Sequence, residues 1–341
     1  MNIQTELQTT IEDMVQKGKG ILAADESHPT VVKRFKPINV ESTEENRRIW
    51  RSLLLTTPGL GDYISGVILF EETLTQKTDD GTLLPQMAEK QGIVPGIKVD
   101  KGKIPLVNAP GDMITQGLDG LADRLKVYKE QGARFAKWRE VYPIDVHNPK
   151  PLGVEANAEV LARYAAICQS VGIVPIVEPE VLIDGDHSIE RCFEVIEEVQ
   201  HAVYHALHRH RVILEHTILK PSMVTPGKEH ATRASPEEVA ENTVKVLRRS
   251  VPAAVPSINF LSGGQTDEEA TANLNAMNAM YPNQPWELSF SFGRALQQPA
   301  LHAWQGKEEN HKAAQDALHK RARLNGAARY GKYTVEMEIL V

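Results

Sequence analysis

Cysteine is almost missing from this chain: Cys168 and Cys192 are the only two among 341 residues. Two thiols cannot staple a small fold, so they read as compact core residues in a reducing compartment. Long apolar runs are also missing. A bilayer needs roughly 20 consecutive apolar residues, and even GIVPIVEPEVLI carries Glu178 and Glu180 inside it. The opening MNIQTELQTT has neither the basic nor the apolar block of a signal peptide. Surplus positive charge is absent too. Lysine and arginine number 38 against 45 acidic residues, a net charge of −7, which argues against the basic stripe of a nucleic-acid binder. No fixed-period repeat, low-complexity tract or linker interrupts the chain. The expectation is a soluble cytoplasmic protein with no nucleic-acid and no membrane partner.

With 41% hydrophobic residues the chain can bury a large core. Length alone suggests two domains, but α/β barrels reach this size as one. Short β-rich runs recur, each followed by a longer helical pattern: GILAAD (20–25), ISGVILF (64–70), VPGIKV (94–99), ARFAKW (133–138), VPIVE (174–178), VILEHTILK (212–220), VPSINFLS (255–262) and WELSFS (286–291). Near-continuous apolar strands alternating with helices indicate a parallel sheet covered on both faces. Eight such units predict a single (β/α)8 barrel over residues 1–341, with extra N-terminal and C-terminal helical segments and with 307–341 as a C-terminal helix and tail. The glycine-rich GLGDYISG near residue 59 does not join a strand to a helix, so a dinucleotide fingerprint is not expected.

Helix boundaries are signalled locally. Thr43 precedes EENRRIWRSLLL with two glutamates in the first turn. LADRLKVYKEQG stops at Gly132, and NAEVLARYAAICQSVG runs from 157 to Gly172. Ser235 and Pro236 open a helix ending in arginines, and Thr266 with Glu269 forms a capping-box pattern.

Active sites of such barrels lie at the C-terminal ends of the strands. That rule delivers Asp25, Lys98, Lys137, Arg139, Glu178, Glu180, Lys220, Ser262 and Ser291 without selecting residues for their chemistry. Charges inside apolar strands are costly unless paired, so one shared cavity is the economical arrangement. Lys220 closes the apolar run TILKPS, where a lysine cannot snorkel to water. An amine in an apolar mouth is driven toward its neutral, nucleophilic form, which attacks ketones to give Schiff bases. LSGGQ and SFSFGRA follow the seventh and eighth strands, and a serine hydroxyl, glycine amides and the Arg294 fork suit a phosphate. Ser27, Thr30, Arg34 and Lys98 suggest a second anion clamp, expected on the far side of the mouth from the eighth strand.

The segments KGILAADES, ESTEENRR, GIKVDKG, QGLDGL, FAKWR, VPIVEPE, LKPSMVTPG, FLSGGQ and FSFGRAL closely resemble class I fructose-bisphosphate aldolase. They occur in that family's order over about residues 18–305. The resemblance implies a (β/α)8 lyase of glycolysis, usually a homotetramer, that forms a Schiff base with a sugar phosphate and needs no metal or other cofactor. By motif, Lys220 would be the Schiff-base lysine, Glu178 the acid/base that dehydrates the carbinolamine, and Asp25 the base on the C4 hydroxyl. Lys137 would be the neighbouring cation that helps keep Lys220 neutral and assists carbinolamine formation, and it can at the same time pair with Asp25 or Glu178. Ser262, Gly263, Gly264, Ser291, Gly293 and Arg294 would hold the C1 phosphate. Arg34, Lys98, Ser27 and Thr30 would hold the C6 phosphate, with Arg139 and Glu180 as further substrate contacts.

Two departures stand out. The family commonly reads ESTGS where this chain reads ESHPT, so Pro29 stiffens the loop of the second clamp. Better-known members end in a tail with a terminal tyrosine, whereas here the chain ends EMEILV and Tyr330 and Tyr333 are its last tyrosines. The run HAVYHALHRHR places His201 and His205 one helical turn apart, which reads as a solvated face rather than a metal site. The competing readings are another lysine-dependent barrel enzyme, such as a transaldolase or a deoxyribose-phosphate aldolase, and a non-enzymatic scaffold. A requirement for two phosphate clamps separates the first of these from the bisphosphate aldolase.

Overall fold

The computed structural model describes residues 2–339. Ten strands form among the described residues: β1 (Gly20–Ala24), β2 (Ile64–Leu69), β3 (Val94–Lys98), β4 (Lys103–Pro105), β5 (Met113–Thr115), β6 (Phe135–Tyr142), β7 (Val174–Val181), β8 (Ile218–Leu219), β9 (Ser257–Phe260) and β10 (Glu287–Phe292). Eight close into a parallel barrel in the order β1-β2-β3-β6-β7-β8-β9-β10, and β10 returns to β1 with Ile21 opposite Ser291. The remaining pair, β4 and β5, is an antiparallel hairpin in the loop after β3 that strand periodicity alone does not reveal.

Alternation along each strand sorts the side chains. Ile21, Val94, Phe135, Val174, Ile176 and Ile218 fill the lower barrel, where Leu7, Ile11 and Met14 of the helix Ile3–Met14 pack against them. The alternate residues, such as Leu22, Trp138, Val177, Leu219 and Phe290, face the helical ring in a second, larger core. Gly96 is a requirement of this packing, because a Cβ there would enter the Phe135 ring. Further along the same inward-facing rows, apolar residues give way to Asp25, Lys98, Lys137, Glu178 and Lys220. One end of the barrel interior is therefore greasy and the other charged.

Helix starts follow their local signals. Thr43, Ser235 and Thr266 each accept a backbone N–H three residues on, and Glu269 completes the capping box. The helix Pro151–Ser170 begins six residues ahead of the expected Asn157, with Pro151 at its first position. The sixth barrel strand is much shorter than VILEHTILK. Leu214–His216 turns as a 3₁₀ segment, because the Gln169 side chain hydrogen-bonds the Ile213 N–H (2.9 Å) and the carbonyls of Ile213 (2.8 Å) and His216 (3.2 Å). An amide from a preceding helix takes the backbone groups that a strand would have used. Cys168 and Cys192 are buried and unpaired. No helix among the described residues is long and apolar enough to cross a membrane. The C-terminal region forms the helix His311–Arg329 and a short turn Val335–Glu338, and the last two residues of the expected tail lie outside the described residues.

Candidate active site

A cavity of about 640 Å³ opens at the C-terminal ends of the strands. At its floor three lysines meet three carboxylates. Lys137 Nζ lies 2.8 Å from Asp25 Oδ2, 3.3 Å from Glu178 Oε2 and 4.0 Å from Asp100 Oδ2. Lys220 Nζ lies 3.2 Å from the other Glu178 oxygen, and Lys98 Nζ 2.7 Å from Asp100 Oδ1. Glu178 thus bridges the two lysines from a strand between theirs, since β7 pairs with both β6 and β8. Lys137, Glu178 and Lys220 are all buried.

The electrostatics follow from this packing. Burial opposes the charge on Lys137, but Asp25, Glu178 and Asp100 together outweigh it and hold the ammonium well above the usual lysine range. Burial likewise works to raise Asp25, yet Lys137 first, then Lys220 and Lys98, drive its carboxyl well below the ordinary value. Asp25 is therefore a carboxylate at any physiological pH.

The cavity wall continues around the mouth. Arg139 pairs with Glu180 across β6 and β7. Ser291 Oγ is buried and makes no hydrogen bond among the described residues, an arrangement that native proteins rarely leave without a partner. Arg294 donates from Nη2 to the Gly263 carbonyl at 2.9 Å, joining the loops after β9 and β10. Ser27 and Thr30 place their hydroxyls 3.2 Å apart at the start of the helix His28–Phe35, whose second residue is Pro29.

Arg34 is not where sequence reasoning put it. Closure of the barrel makes β1 and β10 neighbours, so the loop after β1 lies beside the eighth barrel strand rather than opposite it. Arg34 consequently stands near Arg294; burial first, then this like charge, holds its guanidinium below the usual arginine value despite nearby Glu26. Neither arginine has a carboxylate within ion-pair distance among the described residues, since Glu26 is taken by Arg51 at 2.8 Å. Two unpaired guanidiniums side by side are a receptor for a dianion.

Residues 6–339, nearly all of the chain, match the family model of fructose-bisphosphate aldolase class-I. Fructose-bisphosphate aldolase 6, cytosolic, of Arabidopsis thaliana is 59% identical over 316 residues, covering 93% of this chain and 88% of that protein. A probable fructose-bisphosphate aldolase class 1 of Xanthomonas campestris is 54% identical over 329 residues, covering 96% and 98%. This chain belongs to the class-I fructose-bisphosphate aldolase family. In three dimensions it is similar to the fructose-bisphosphate aldolase of Plasmodium falciparum, with a TM-score of 0.96 and 51% identity over 97% of this chain and 96% of that one. Class-I aldolases are metal-independent enzymes of the Schiff-base type.

Of the aldolase residues expected from sequence, Asp25, Ser27, Thr30, Arg34, Lys98, Lys137, Arg139, Glu178, Glu180, Lys220, Ser262, Gly263, Ser291, Gly293 and Arg294 all line the one cavity. Gly264 does not; the space beside its Cα is filled by Lys228 and Ile183. Asp100 lines the cavity but was missed. It lies one residue past the expected end of the third strand, so the strand-end rule read one position further would have found it. Tyr330 packs over Gly18, just before β1, and Tyr333 donates to Glu338 Oε1 at 2.9 Å. Gly18 precedes the N-terminal end of β1, whereas Lys220 sits at the C-terminal mouth, so Tyr330 is not brought to that lysine, and Tyr333, held by Asn275 and Glu338, does not line the cavity. His201 and His205 lie on the exposed face of the helix Ile189–Arg209.

Proposed function

We propose that this protein catalyses reversible aldol cleavage of fructose 1,6-bisphosphate to dihydroxyacetone phosphate and glyceraldehyde 3-phosphate through a Schiff base on Lys220. The observation that carries the reading is the buried bridge in which one carboxylate, Glu178, touches both Lys220 (3.2 Å) and Lys137 (3.3 Å), with Asp25 on the far side of Lys137. A buried amine beside a proton-carrying carboxylate is what carbinolamine formation and dehydration require.

Lys220 in its neutral form attacks the C2 ketone. Glu178 protonates the carbinolamine hydroxyl, water leaves, and the iminium that remains is an electron sink. Asp25, kept ionised by Lys137, takes the C4 hydroxyl proton. The C3–C4 bond then breaks, its electrons pass into the iminium as an enamine, and glyceraldehyde 3-phosphate departs. Protonation of the enamine at C3 and addition of water release dihydroxyacetone phosphate and the free amine. Lys137 acts by keeping Asp25 ionised in a buried site, and its ion pairs hold Asp25 and Glu178 in position.

Ser262, Gly263, Ser291, Gly293 and Arg294 take one phosphate, with Arg34 beside Arg294. Lys98, at the end of β3, reaches the other, with Ser27 and Thr30 in the loop after β1 between the two. A cavity whose wall carries cations at separate places, Lys98 at the end of β3 and Arg294 after β10, favours a bisphosphate over the single phosphate of a transaldolase or deoxyribose-phosphate aldolase substrate. The reading calls for no metal or other cofactor. It places residues 1–341 in one working unit, in the cytoplasm as for the relatives named cytosolic, and in a homotetramer by family resemblance.

Borohydride reduction in the presence of dihydroxyacetone phosphate tests the mechanism. Covalent label is expected on Lys220, with turnover surviving EDTA. Label on another residue, or loss of turnover with EDTA, would overturn the mechanism.

A further inference from the structure

The chain between β8 and the helix Pro236–Ser250 carries a lysine that the mechanism above does not use. Segment 220–235 has no regular secondary structure, yet its middle is firmly held. Backbone amides of Gly227, Lys228 and Glu229 donate to the carbonyls of His187 (2.8 Å), Ile183 (2.9 Å) and Gly185 (2.9 Å) in the loop after β7. Gly227 must be glycine there, because a Cβ would strike the Gly185 carbonyl. At the other end of the segment, Leu261 N–H donates to the Pro221 carbonyl at 3.1 Å. Three loops of the mouth, after β7, β8 and β9, are thereby tied together.

This interlock aims Lys228 at the Gly263–Gly264 turn. Its Cε and Nζ fill the space that a Cβ on Gly264 would need. Its carboxylate partner among the described residues is Asp184, 3.6 Å away, and the two side chains are 41% and 73% exposed. So long and wet a pair does little to neutralise the ammonium. On the cavity side the same turn is held by Arg294 through the Gly263 carbonyl. The turn is therefore gripped between a guanidinium in front and an ammonium behind.

We propose that Lys228 is a positioning residue for the phosphate of a ketose phosphate, backing the Gly263–Gly264 turn and adding positive charge to it. The inference rests on the function proposed above, in which that turn receives a phosphate. The lysine stem fixes the turn so that its backbone N–H groups hold one orientation, and the charge favours a dianion in front of them. Because Lys228 shares its loop with Lys220, occupation of the turn also braces the segment leaving the Schiff-base lysine.

Three proteins decide it: the full-length wild type, Lys228→Met, which keeps the stem and removes the charge, and Lys228→Arg, which keeps both. Lys228→Met is expected to raise KM for fructose 1,6-bisphosphate about fivefold to tenfold at low salt, with a much smaller change in kcat and in the melting midpoint. Lys228→Arg is expected to recover most of the loss, and the salt dependence of KM is expected to be shallower in Lys228→Met than in wild type. A wild-type KM in Lys228→Met refutes the proposal. So does a parallel fall in kcat and melting midpoint that arginine does not rescue, because that is the signature of a merely structural lysine. Glycerol 3-phosphate, which has no ketone, separates this inference from the catalytic reading. If wild type binds it several-fold more tightly than Lys228→Met, the inference stands even if Lys220 is never labelled. Equal binding by the two, or none by wild type, sinks it even if Lys220 is labelled.

Discussion

Replacing Lys137 with methionine removes one positive charge from a buried set of three lysines and three carboxylates while nearly preserving volume. In the wild type its ammonium lies 2.8 Å from Asp25 and 3.3 Å from Glu178. Taking one partner out of a buried ion pair costs about 3–5 kcal/mol, because the remaining charge stays desolvated and uncompensated. The pH dependence should change as well. Asp25 is held below its ordinary value in the folded wild type, so its contribution is present above a pH of about 3.8 and lost as pH falls through the folded value. Lys137 is held above its ordinary value, so its contribution is complete below a pH of about 10.5 and fades only above that. Acidification from pH 7 to 5 therefore changes neither term in wild type. In Lys137→Met the buried Asp25 carboxylate loses its ion-pair partner and prefers to bind a proton, so stability should rise over that same interval. Denaturant midpoints at pH 5 and 7 read the effect. Because the sites touch, Asp25→Asn/Lys137→Met should lose less than the two single losses summed. A loss below about 1 kcal/mol at pH 7, or an unchanged pH trend, would show that Lys137 is not the compensating charge of this cluster.

Arg294→Ala should weaken binding of the bisphosphate by about 2–4 kcal/mol through KM, and an unchanged KM would remove Arg294 from the phosphate site. Glu140 is fully buried, accepting from the Trp138 indole N–H (2.8 Å) and the Thr115 amide (3.0 Å), and burial pushes its carboxyl up to about 7. A raised carboxyl stabilises the fold fully below its ordinary value of about 4.5 and loses that contribution as pH rises through 7, on the order of 3 kcal/mol. Glu140→Gln should flatten the dependence of the melting midpoint on pH between 5 and 7, and an identical slope in the variant would contradict this. Burial raises both thiols, Cys192 to about 12, so native protein should leave a disulfide reagent unreacted until denaturant exposes both. Rapid labelling of the native form would mean that one is exposed.

Much of the molecule can be read from residues near each other in the chain. Helix starts at Thr43, Ser235 and Thr266 are set by side chains that cap amides three residues away. Lys220, Glu178, Lys137 and Asp25 stand out because a charge in an apolar strand must be paired, and the barrel rule says at which end. Whatever depends on residues distant in sequence is not legible in this way. β8 keeps only Ile218–Leu219 because Gln169 occupies the backbone ahead of it. Arg34 stands beside Arg294 because the first and last strands of a closed sheet become neighbours. Asp100 joins the charge cluster through its reach to Lys98 and Lys137, and Lys228 meets Gly264 through hydrogen bonds between two loops. Local propensity and burial cost are properties of a segment, so residue order carries them. Which charges face each other is a property of barrel closure and register, and only the folded chain brings those partners within hydrogen-bonding distance.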